Sequence, residues 1–299
     1  MADPLFLLAP PRSYTSLINA MIGQHPQMFG VPELNLFTTN NLNDLWKKSV
    51  VSGHRNHGIL RAVAEIYGGE QTCETIIMAK HWAAAREDKN TEDIFRELTA
   101  KIDPLILVDK SPMYTISLKN LIRIYKTFPY ARFIHLVRHP ISQCKSVMNL
   151  NYGIFAYFVN AFAFETNRAI IDPQIAWHDI NINILNFLHA VPDDQQLRIL
   201  GEKFMENPKD YLAIICDWLS ISDSQTAIDE MMHPERSPFA CFGPITALFG
   251  NDPNFLRNPS FRYKTPKIPS LYDVVPWLDN EKGLCQEVID LSIELGYSL

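Results

Sequence analysis

Residues 5–9 read LFLLA, a uniformly apolar run closed by Pro10 and Pro11. A run this short and this apolar is a strand buried on both faces, as in a parallel sheet. The next stretch, SLINAMIGQH, carries its apolar residues at helical spacing and stops near Gly23. The alternation then recurs. MFGV, PLILVD, ARFIHLV and LRILGEKF are further strand candidates. HGILRAVAEIYGG, TEDIFRELTAKI, SLKNLIRIYKTF, a segment opening near Pro140 and NPKDYLAIICDWLSI read as the helices between them. Parallel neighbours need long crossover connections, so this order predicts an α/β fold with a central parallel sheet flanked by helices.

The whole chain, 1–299, reads as a single domain. Within it, about 40–100 is helical. Residues 233–280 are proline-rich and weakly patterned, a long ordered loop region suited to a lid. EKGLCQEVIDLSIELGY closes the chain as a helix ending at Gly296.

Composition narrows the function. A net charge of −6 argues against a general nucleic-acid binder. The five cysteines are odd in number and contain no CxxC, which predicts reduced thiols, no zinc site and a cytoplasmic protein. HRNH, from His54 to His57, reads as a solvated turn rather than a metal pair. The longest apolar segment, YGIFAYFVNAFAF from Tyr152 to Phe164, falls short of the ~20 residues of a membrane span. It is expected to be a core helix, with the wall of an acceptor tunnel as the alternative.

Charge falls at the strand ends. Arg12 follows the first strand, Lys110 the third and Arg138 the fourth. In a parallel sheet these cations converge on one edge, beside the N-terminus of the first helix. With the hydroxyls of Thr15 and Ser16, this is a site for a multiply charged phosphate ligand. The loop has neither the glycines and lysine of a Walker sequence nor those of a dinucleotide fingerprint.

PPRSYTSL resembles the 5′-phosphosulfate loop of sulfotransferases, P-[RK]-S-G-[TS]-[TS]. FIHLVRHPISQCKSVMNL resembles their 3′-phosphate motif, with Arg138 ending a strand and Ser146 following. LVDKSPMY, LGEKFMENPKDYLAIICDWLSI and the terminal LGY are similar too, in the family's order from Leu5 to Leu299. Within the family the chain most resembles the sulfotransferase domains of polyketide and olefin assembly lines. More distantly it resembles tyrosylprotein sulfotransferases, which share a glutamate in the position of Glu33.

The resemblance implies a P-loop-like three-layer fold and 3′-phosphoadenosine 5′-phosphosulfate (PAPS) as donor, without a metal. The acceptor it implies is a hydroxyl, on a small molecule or on an acyl chain held by a carrier protein. Arg12 would then meet the 5′-phosphosulfate, with Ser13, Tyr14, Thr15 and Ser16 completing the loop. Lys110 would act at the bridging or sulfuryl oxygen. Glu33 would be the general base, with His81 as its rival. Arg138 and Ser146 would hold the 3′-phosphate, and Arg257 and Lys264 of the late loop would cover the donor. Ser13, Thr15 and Ser16 are equally placed to cap a helix, and Glu33 to sit at a helix start. Tyr14 departs from the pattern, because it stands where the family has glycine. A small-molecule kinase of related fold and a non-catalytic nucleotide binder are the alternative functions.

Overall fold

The computed structural model describes residues 2–52, 56–150, 153–165, 168–263, 265–278 and 282–298. The strands are β1 (Leu5–Leu8), β2 (Met28–Gly30), β3 (Ile106–Asp109), β4 (Arg132–Val137), β5 (Phe162–Glu165), β6 (Arg168–Ile171) and β7 (Gln196–Leu200). β2, β3, β1, β4 and β7 form, in that order, one all-parallel sheet. The expected α/β architecture is therefore present.

β1 lies at the centre, and its alternating side chains define the layers. Phe6 and Leu8 face one apolar cluster with Phe37, Phe95 and Phe133. Leu5 and Leu7 face another, with Ile18, Met21, Ile134 and Ile215. Strand side chains alternate between faces, so burying both faces of β1 requires helices above and below it. From β1 the chain runs to β2 at one edge, returns to β3 beside β1, and then crosses to β4 on the other side of β1. The chain reversal at β1 opens a crevice at the carboxyl ends of the strands, where ligands of open α/β sheets bind.

The segment 40–100 holds the helices Leu42–Ser52, His57–Gly68, Cys73–Ala84 and Thr91–Ile102. Between 233 and 280 the described residues hold one short α-helix, Pro253–Arg257, two 3-10 turns, Pro234–Arg236 and Ile245–Ala247, and otherwise irregular chain. His54, of the HRNH turn, lies outside the described residues, and His57 opens its helix.

The expected core helix at 152–164 is not formed. Tyr152 lies outside the described residues, Ile154–Phe158 is a short helix, and β5 pairs antiparallel with β6. Asn160 sits in the left-handed region at φ 56°, which ends the helix. Phe155 packs against the core, but Tyr157, Phe158 and Phe164 are exposed, while the small Ala156 and Ala161 are buried.

Glu33 follows β2 and is held through its backbone. Its N–H donates to the carbonyl of Gly250 at 2.8 Å. A Cβ on Gly58, in the first turn of the His57–Gly68 helix, would lie 1.9 Å from the carbonyl oxygen of Glu33. Only glycine lets the helix start approach this closely. Gly58→Ala is expected to cost about 2 kcal/mol of stability through overpacking, read as a lower midpoint of denaturant unfolding.

Candidate functional site

The loop from β1 to the helix Thr15–Ile22 contains two non-glycine residues in the left-handed region, Arg12 at φ 70° and Tyr14 at φ 60°. Such backbone costs about 1 kcal/mol or more per residue and persists only where surroundings fix it. Three donors from other elements do so. Thr115 Oγ1 donates to the carbonyl of Ala9 at 3.2 Å, Gln143 Nε2 to that of Pro11 at 2.7 Å, and Arg138 Nη1 to that of Arg12 at 2.5 Å.

Lys110, the residue after β3, is 1% exposed. A charge removed from water must be paired and hydrogen-bonded. Its Nζ donates to Glu33 Oε1 at 2.6 Å, Ser16 Oγ at 3.0 Å and Asn251 Oδ1 at 3.3 Å. The Glu33 carboxylate is half-buried and forms the open edge of this pair. Asp109, its chain neighbour, points elsewhere, because adjacent residues at a strand end face opposite ways.

Asp109 is buried with three donors of its own: Ser111 Oγ at 2.9 Å, the Tyr114 hydroxyl at 2.8 Å and the N–H of Leu34. Burial pushes its carboxyl up to about 7, against these three bonds. Ser111 Oγ and Tyr114 Oη in turn accept from the N–H groups of Asn35 and Leu36 at 3.1 Å each. Three consecutive amides behind Glu33 are thus tied to the end of β3. Glu33 itself does not cap a helix.

Arg12 donates from Nε to Ser146 Oγ at 3.0 Å and forms an ion pair with Asp252. Burial works to raise the Asp252 carboxyl, and Arg12 outweighs it, holding the group below its usual range. Arg138, half-buried after β4, lies with its guanidinium carbon 4.3 Å from the centroid of the Tyr14 ring. Its Nε is buried without a hydrogen-bond partner, and among the described residues it has no carboxylate partner. The Ser13 hydroxyl is likewise buried and unpartnered. Tyr14 is the N-cap of the Thr15–Ile22 helix and no side chain caps it, so Ser13, Thr15 and Ser16 are not caps. Arg12, Tyr14, Thr15, Ser16, Arg138 and Asp252 line one cavity of about 220 Å³.

Other expected residues lie apart from this cluster. His81 is exposed in the last turn of the Cys73–Ala84 helix, where its carbonyl accepts from the N–H of Ala85 at 3.0 Å. Arg257 is exposed, bonds Asn254 at 3.3 Å and does not line the cavity. Lys264 lies outside the described residues. From the same late segment it is Asn251 and Asp252 that reach in, to Lys110 and Arg12 respectively, which a search for phosphate-binding cations passes over. Among the described residues no cluster of potential metal ligands is present, and no helix is long and apolar enough to cross a membrane.

A sequence model described as the Sulfotransferase family matches residues 4–225, and the chain belongs to that family. The sulfotransferase domain from the curacin biosynthetic pathway shares its fold, with a TM-score of 0.79 at 24% identity over 100% of this chain and 99% of that one. The sulfotransferase domain of the Synechococcus PCC 7002 olefin synthase does so at 0.73 and 24% identity, over 100% and 97% of the two chains. No curated protein matches.

Tyr114→Phe removes a donor to Asp109 and the acceptor of the Leu36 amide together. It is expected to cost about 1–3 kcal/mol, measured by denaturant unfolding, with hydrogen exchange quickening at Leu36.

Proposed function

We propose that this chain transfers the sulfuryl group of PAPS to a hydroxyl acceptor. The observation that carries the reading is the pair of guanidiniums, Arg12 and Arg138, lining one cavity with the Thr15 and Ser16 segment. The N-terminus of the Thr15–Ile22 helix adds backbone donors and the positive end of its dipole there. Two separated cations suit a ligand with two separated anionic groups. A bare nucleoside would leave them unmet. The unpartnered Ser13 hydroxyl and Arg138 Nε are further donors available to such a ligand.

In this reading Arg12, released from Asp252, meets the 5′-phosphosulfate, and Arg138 meets the 3′-phosphate. Ser146 reaches the site beside Arg12. Transfer is an in-line displacement. The acceptor oxygen bonds to sulfur as the bond from sulfur to the 5′-phosphate oxygen breaks, and the electron pair leaves on that phosphate. Positioning and charge stabilisation supply the rate, as in phosphoryl transfer. Glu33 takes the acceptor's proton, being the exposed member of its pair. Lys110, held by Glu33, Ser16 and Asn251, turns its ammonium to the sulfuryl or bridging oxygen. The fold shared with the curacin-pathway and olefin-synthase domains favours a hydroxyl on an acyl chain as acceptor, free or carrier-bound.

The desulfated product, 3′,5′-ADP, is expected to raise the melting temperature, as any ligand of the folded state does. ATP with magnesium should not. A response to ATP alone would replace the reading with a kinase. Arg138→Ala should weaken 3′,5′-ADP binding about 10- to 100-fold, measured by calorimetry. Glu33→Gln should slow transfer at least about a hundredfold while leaving 3′,5′-ADP affinity within about twofold. Unchanged turnover would move the base elsewhere.

A further inference from the structure

We infer that Tyr14 and Gly201 form a matched pair that orients Arg138 toward the 3′-phosphate, so that the Tyr14 ring sets the site's preference for nucleotides carrying one. The inference rests on the donor reading above.

Tyr14 occupies a left-handed position, φ 60° and ψ 8°, where glycine is the least costly residue. Its ring has a place prepared for it. A Cβ on Gly201, the residue after β7, would lie 2.7 Å from Tyr14 Cδ2 and 3.2 Å from Cε2. The ring therefore fills the space that any side chain at 201 would take. The loop gains an aromatic residue where β7 leads into its helix without one.

The ring also faces Arg138, 4.3 Å from centroid to guanidinium carbon, within cation–π range. The other described partners of that guanidinium are the Tyr14 hydroxyl and the carbonyl of Arg12. The nearby buried carboxylate, Glu202, is already engaged. It accepts from the N–H of His139 at 3.1 Å and from the Tyr297 hydroxyl at 2.7 Å. Arg138 is thus oriented by the ring and hydroxyl of Tyr14 and by a carbonyl, none of which carries a formal negative charge. A phosphate arriving at Arg138 has no carboxylate to displace, unlike one arriving at Arg12.

The test is the ratio of affinities for 3′,5′-ADP and 5′-AMP, measured by calorimetry on the full chain. Loss of packing alone would weaken both ligands and leave the ratio unmoved. Tyr14→Phe keeps the π face but removes the hydroxyl, and should lower the ratio no more than about threefold. Tyr14→Leu keeps bulk but not the face and should lower it about tenfold. Gly201→Ala should lower it similarly in the parent, and much less in a Tyr14→Gly background, because neighbours in contact are not additive. An unchanged ratio in folded Tyr14→Leu overturns the inference. Arg138→Ala separates the two levels. If it abolishes the preference while Tyr14→Leu does not, the donor reading stands and the Tyr14 role falls. If it leaves the preference intact, the 3′-phosphate assignment itself is wrong, and this inference with it.

Discussion

The ammonium group of Lys110 is nearly closed to water, and the arrangement around it follows from satisfying that charge. Its three hydrogen bonds reach three different parts of the chain: Glu33 after β2, Ser16 in the first helix and Asn251 in the late segment. One buried cation thereby fixes the relative positions of a carboxylate, the start of the first helix and the late segment. Removing any one partner would leave charge or donors unmet in a low-dielectric setting, where that is costly. The Asp109 network on the reverse side of β3 does the complementary task. It secures the Leu34–Leu36 backbone so that Glu33 does not drift from the lysine.

The sheet order explains why this economy is possible. β3, β1 and β4 are immediate neighbours, so Lys110, the 9–14 loop and Arg138 emerge side by side although the chain between them is long. The loop's two left-handed residues are stabilised from both flanks, by Thr115 beyond β3 and by Arg138 and Gln143 beyond β4. A helix starting immediately after such a loop is aimed at the crevice by construction.

Much of this was legible in the sequence because it depends on local pattern. Short apolar runs alternating with amphipathic segments specify a parallel sheet, and a cation after a run marks the sheet edge it will occupy. Arg12, Lys110 and Arg138 could be placed at that edge without any contact being known. What could not be read rests on long-range meetings. Nothing near Arg12 in the chain announces Asp252, and nothing near Tyr14 announces Gly201. The 152–164 segment misled for a different reason. Aromatic content signals a core only when the residues face one, and Asn160 with Gly153 turns the chain before a long helix can form. His81 illustrates the same limit: a histidine's chemistry says nothing of which helix face presents it.

The ion pairs have a consequence for how the site meets its ligand. Three cations, Arg12, Lys110 and Arg138, share the crevice with two carboxylates, Asp252 and Glu33. The resting cleft therefore carries about one net positive charge, located on Arg138, rather than three. Electrostatic steering scales with that net field and is damped by ionic strength over about 8 Å in physiological salt. A polyanion would be drawn in weakly from a distance and recognised at short range, by exchange of partners. Capture by such a cleft depends little on the salt around it.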